Sequence, residues 1–187
     1  PPPAVPRGRP SKTASPGAKP IEPQPPGRRF RSGESEIAAA VAGDIAGNNF
    51  TKALEDLDRW TERYPRTDFL ADRVYYYIVA YNGARQSAKV VDTARQLLPG
   101  GELALNDQRQ MLLALYLTSV NAQKLPRPTR DQLAAGELAA RTLLDSVPAY
   151  FTPRNKPPET TDDEWMKARA DLEAAAKTTL AMHSTHR

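Results

Sequence analysis

The sequence predicts an all-α fold: a right-handed α-α superhelix of about three helix pairs with a C-terminal capping helix, preceded by an extended Pro-rich N-terminal arm. Three observations predict it. From Ser35 onward the apolar residues recur with helical spacing. The helices so marked come in pairs, joined by Gly/Asn turns and closed by proline. Pro65 and Pro99 stand 34 residues apart, so the pairing repeats at a fixed period. A single pair is too small to bury its own apolar face, so pairs must stack into a continuous core.

The chain divides into an arm (1–34), helical repeats (35–148) and a connector with a capping helix (149–187). Ten of the eighteen prolines fall within 1–34, among them Pro1-Pro2-Pro3 and Pro25-Pro26-Gly27. Prolines in this density exclude helix interiors and central strands. Val5, Ile21 and Phe30 are the only sizeable apolar side chains there. That is too little burial to offset ordering entropy, so the arm is expected to be extended or disordered. It carries seven basic and two acidic residues, against 19 basic and 20 acidic in the remainder. The net charge of +4 therefore belongs to the arm, and the folded part lacks the basic excess expected of a nucleic-acid-binding domain.

The elements follow in order. A first helix spans 35–46, with Ile37, Ala40, Val41 and Ile45 on one face, and Gly47-Asn48 ends it. A second runs from Phe50 to Tyr64 with the stripe Phe50, Ala53, Leu54, Leu57, Trp60, Tyr64, and Pro65 stops it. A third spans 68–81, capped by Thr67 or Asp68 and stopped by Asn82-Gly83. A fourth spans 84–98 with Ala84, Ala88, Val91, Ala94 and Leu98 inward, before Pro99-Gly100-Gly101. A fifth spans 103–122. Its run from Met111 to Leu117 is apolar nearly all round, which predicts a central helix covered on two sides. After a linker over 123–129, a capping box from Thr129 to Gln132 opens a sixth helix that Pro148 is expected to end. The stretch 148–160 has no periodicity. A second box, Thr161 to Glu164, opens a seventh helix with Trp165, Ala168, Leu172, Ala175, Thr179 and Leu180 on one side.

The run Phe50-Thr-Lys-Ala-Leu-Glu-Asp-Leu, with Trp60 and Tyr64-Pro65, resembles the second helix of a tetratricopeptide repeat. Ala53 falls at that family's small helix-crossing position. The second unit keeps Ala94 and Pro99, with tyrosines where the family often has Leu-Gly. The third is degenerate, since Pro99 and Pro148 lie 49 residues apart. Tyr150-Phe151-Thr-Pro-Arg-Asn-Lys-Pro, Asp163-Glu-Trp165 and Ala174-Ala-Ala-Lys-Thr-Thr-Leu180 resemble a connector in bacterial tetratricopeptide proteins of the acidobacterial type. The resemblance implies a non-catalytic module for protein–protein interaction. In its register Phe69, Asp72 and Tyr76 line the concave groove, and Val74, Tyr75 and Ile78 take core positions.

Nothing marks an enzyme. There is no cysteine, no Gly-rich phosphate loop, no Gly-x-Ser-x-Gly elbow and no His-Glu-x-x-His. His183 and His186 fall in the last five residues, where a frayed tail is expected. Asp162, Asp163 and Glu164 read as a first helical turn favouring its dipole rather than a metal cluster. No cofactor, metal or small-molecule substrate is expected. Partners are expected to be proteins, including other copies of this chain. Phe69, Asp72 and Tyr76 are the candidate groove residues; Arg28, Arg29, Phe30, Tyr150 and Phe151 are the candidates on arm and connector. The arm has three readings: a spacer, a docking strand for another protein or a second copy, or a polyanion contact. Self-assembly into an oligomer or extracellular filament is the alternative to a scaffold, and nucleic-acid contact through the tail is a lesser one. No apolar run reaches the roughly 20 residues that span a bilayer. The start at Pro1 fits a fragment or a processed mature form, and an exported location, periplasmic or extracellular, is expected over a cytoplasmic one.

Overall fold

The computed structural model describes residues 27–184. Among them are seven α-helices and no strand: α1 (Glu34–Ala46), α2 (Phe50–Arg63), α3 (Leu70–Gly83), α4 (Ser87–Ala94), α5 (Gln108–Ala122), α6 (Arg130–Tyr150) and α7 (Asp162–Ser184), with a single 3₁₀ turn at Pro153–Asn155. Successive helices pack as hairpins, α1 on α2, α3 on α4 and α5 on α6. Neighbouring hairpins meet through α1 with α3, α3 with α5 and α5 with α7, and through α4 with α6. The odd-numbered helices thus form one layer.

The core is segmented in the way stacked hairpins require. One cluster joins α1, α2 and α3 around Val41, Leu57, Trp60 and Ala80. A second joins α3, α4 and α5 around Ile78, Val90, Leu97 and Leu117. A third joins α4 through α7 around Val91, Leu115, Ala139, Leu143 and Ala176. Trp60 and Leu57 are fully buried, and truncating either to Ala removes about 3–5 kcal/mol of transfer and cavity energy. α5 packs against α3, α4, α6 and α7, as its all-round apolar run predicts, though Leu113 stays 37% exposed.

Both capping boxes form. Gln132 N donates to Thr129 Oγ1 at 3.2 Å and Thr129 N to Gln132 Oε1 at 3.0 Å. Thr161 and Glu164 repeat the exchange at 2.9 and 3.2 Å. Asp107 caps α5 by accepting from the Arg109 and Gln110 amides at 2.8 and 3.1 Å. Asn48, at φ 56°, takes the left-handed turn after α1.

The structure corrects several expectations. α6 runs through Pro148 to Tyr150, because near a helix end proline removes a single ladder bond and Phe151 N still reaches Val147 O at 3.0 Å. α4 ends at Ala94. Leu97 and Leu98 are buried from the turns that follow, Val90 is buried, and Ala88 faces solvent. On α1, Ala40 is exposed and Ala38 is buried. After α3 the left-handed residue is Arg85, at φ 59°, not Gly83. Gly83 is needed for close packing, since a Cβ there would run into the Phe50 ring. His183 is not in a frayed tail: α7 extends to Ser184, and His183 is 7% exposed. His186 and residues 1–26, most of the expected arm, lie outside the described residues.

Candidate functional site

The candidate residues of arm and groove meet at the start of α3. The Phe30 ring stacks on Phe69 with centroids 3.9 Å apart and planes 10° from parallel. Arg28 Nη1 pairs with Asp72 Oδ2 at 2.5 Å, and its guanidinium lies over the Phe69 ring at 4.9 Å from the centroid. The Arg29 amide donates to Asp68 Oδ2 at 3.0 Å. Phe69, the N-cap residue of α3, and Asp72 in its first turn are three residues apart, which is why one short segment engages both.

A buried joint fixes this strand. Glu34, the first residue of α1, is fully buried. Its Oε1 accepts from the Trp60 indole N–H at 2.8 Å and from the Thr67 hydroxyl, and its Oε2 accepts from the Arg31 amide at 2.9 Å. Burial pushes this carboxyl up; the Arg31 amide, Thr67 and Trp60 more than offset that, so it lies below the ordinary value of 4.5. The Tyr64 hydroxyl donates to Ser32 O at 2.6 Å. Gly33 sits between at φ 79°, where a Cβ would stand 2.8 Å from the Tyr64 oxygen. Glycine is required there for both conformation and space. Buried Arg73 braces the same corner, donating to Tyr64 O at 2.8 Å and lying 5.8 Å from the Trp60 ring centre.

Tyr76 is half-buried, tilted against Trp60 at 6.4 Å and against Tyr75 at 5.7 Å. Its phenol is pushed up by burial and by the Asp72 carboxylate. Tyr75, expected in the core, is half-buried against the second cluster and also lines a groove of about 510 Å³ with Asp107, Arg109, Leu112, Leu113, Tyr150 and Leu172 among its walls. Burial and Tyr76 push the Tyr75 phenol up, with Arg109 opposing them. The groove lies along the odd-helix layer, with α3, α5 and α7 all contributing. Leu113 is the exposed apolar residue on its floor. Arg109 takes part in none of the ion pairs among the described residues.

Tyr150 and Phe151 hold the connector to the fold. Phe151 lies 4.5 Å and Tyr150 5.8 Å from the Trp165 ring, and both pack on the third core cluster. Tyr150 also reaches the groove, so it serves both surfaces. As groove residues, Arg109, Leu113 and Leu172 are not foreseen by the sequence: Leu113 and Leu172 read as buried apolar positions, and Arg109 is not singled out. The apolar run around Leu113 signalled burial, and nothing in the run itself marks the one side chain left open.

Among the described residues no group of three or more His, Cys, Asp or Glu is placed to hold a metal ion, and no helix is long and apolar enough to cross a membrane. The geometry offers a trough of aromatic and aliphatic walls edged by Asp107, Gln110 and Arg109, the last in no ion pair among the described residues, which suits an extended chain more than a compact ligand. No protein-family model, curated protein or solved structure matches this chain.

Proposed function

We propose that this chain is a tetratricopeptide-type helical-repeat scaffold, a non-catalytic module that binds an extended segment of a protein along its odd-helix face. The supporting observation is the groove walled by Tyr75, Leu113, Tyr150 and Leu172 with Arg109 at its rim. Tyrosine supplies rigid contact area with a polar tip, and an arginine with no ion pair among the described residues supplies a fork for a carboxylate or carbonyl. The resemblance of Phe50 to Pro65 to a tetratricopeptide helix supports a right-handed stack with the odd helices on its inner side.

Self-assembly through the arm is the second reading, and its support is weaker. Residues 28–30 rest on α3 of their own chain, and Arg28 is engaged there by Asp72, which also takes one basic group away from any polyanion contact.

Selection of displayed peptides against the full chain tests the proposal. Enriched peptides should lose at least 10-fold in affinity for the Leu113→Asp chain, because a desolvated carboxylate would replace an apolar floor. Peptides that bind both chains equally would place recognition elsewhere.

A further inference from the structure

The arm and the groove share a register. Going backwards along the arm, Phe30 sits on Phe69 and Arg28 on Asp72. Two arm residues span about 6 Å in an extended Pro-rich strand, and one helical turn advances 5.4 Å, so the two ladders stay in step. Continued by one step, the same spacing would set residue 26 level with Tyr75 and Tyr76, one turn further along α3. Tyr75 is already a wall of the groove. The segment before it reads Pro20-Ile21-Glu22-Pro23-Gln24-Pro25-Pro26. Such a segment is stiff in the polyproline conformation and loses little entropy on docking to an aromatic trough. Glu22 precedes Pro26 by four residues, and about 12 Å of extended strand is enough to cover the step of about 8–10 Å from one helix axis to the next. That step leads from α3 to α5, where Arg109 makes no ion pair with any described residue.

We propose that the groove is the seat of this chain's own residues 20–26, delivered in register by the Phe30–Phe69 and Arg28–Asp72 contacts. The inference rests on the groove being a peptide site, and it names the occupant.

The chain has no cysteine, so paired cysteines report the placement directly. Under mild oxidation the Gln24→Cys, Leu113→Cys chain should close a disulfide within one molecule at least 10-fold faster than a Gln24→Cys, Glu55→Cys control, whose second site is exposed on α2. Adding Arg28→Ala and Phe30→Ala should bring the rate down to the control. Equal rates in the two pairs, or disulfide-linked dimers in place of closed monomers, would overturn the proposal.

The second measurement titrates a labelled peptide of residues 20–27 onto the full chain. A tethered segment acts at about millimolar effective concentration, so a groove of about 0.1 mM intrinsic affinity is blocked about 10-fold. A chain lacking residues 1–26 should therefore bind the peptide about 10-fold more tightly than the unaltered chain. Equal affinity that Leu113→Asp abolishes keeps the groove as a peptide site and removes self-occupancy alone. Binding indifferent to Leu113→Asp removes both.

Discussion

Replacing Glu34 by Gln isolates the joint that sets the arm on α3. The substitution keeps volume and planarity, so the loss reports hydrogen bonding. Oε1 accepts from Trp60 and Thr67, and Oε2 from the Arg31 amide. A glutamine that keeps its oxygen toward Trp60 and Thr67 turns an NH₂ toward the Arg31 N–H, donor against donor. The two retained bonds fall from the charged range of about 1.5–3 kcal/mol toward about 1 kcal/mol each. Arg31 is exposed and recovers water, so its bond costs less. The sum is about 2–3 kcal/mol, or roughly 4–12 °C in Tm for a domain of this size. Urea titration followed by tryptophan fluorescence measures it. The carboxyl pKa is depressed on folding, so its contribution is fully present above the unfolded value near 4.5 and is lost as pH falls through the lower folded value. The gap between the two proteins should therefore hold at neutral pH and narrow below pH 4.5. A neutral-pH difference under about 0.5 kcal/mol, or a gap that widens in acid, would refute the assignment of Glu34 as a buried ionised acceptor.

Gly136→Ala should lower stability by about 1–3 kcal/mol despite alanine's better helix propensity, because its Cβ would stand 2.5 Å from Ala122 Cβ and 3.2 Å from His183 Nε2; urea midpoints at constant m read this. Asp72→Asn should cost at most about 1 kcal/mol, since the Arg28 pair is solvent-exposed, yet proteolysis at 27–31 should quicken measurably. Trp165→Ala should cost about 2 kcal/mol from a half-buried site and strip hydrogen-exchange protection from 150–160, where Trp165 clamps Tyr150 and Phe151.

Much of the fold was legible because it is written in local patterns. The stripe from Phe50 to Tyr64 required a helix with one buried face, and Ala53, Leu57 and Trp60 are buried on it. Thr129 to Gln132 and Thr161 to Glu164 are short-range hydrogen-bond devices, so three residues of context suffice to place a helix start. Breakers were harder. Pro148 forbids one backbone bond, and whether a helix tolerates that depends on packing beyond it: Val147 is fully buried, and α6 holds two residues past the proline.

What only the tertiary structure decided concerns pairs of residues far apart in the chain. Phe30 and Phe69, and Arg28 and Asp72, stood as separate candidates on arm and groove, and they become pairs only because stacking brings the start of α1 to the start of α3. Glu34 and Arg73 are charged, and periodicity assigns charge to the surface. They are buried because donors from α2 and the α2–α3 turn surround Glu34, and carbonyls from the end of α2 receive Arg73. Tyr75 packs on the core as expected, and its other side becomes a groove wall because that wall is completed by α5, α6 and α7. Helical period tells which side of a helix is apolar. Which neighbour covers that side, and where the cover stops, is settled by contacts that no single helix contains.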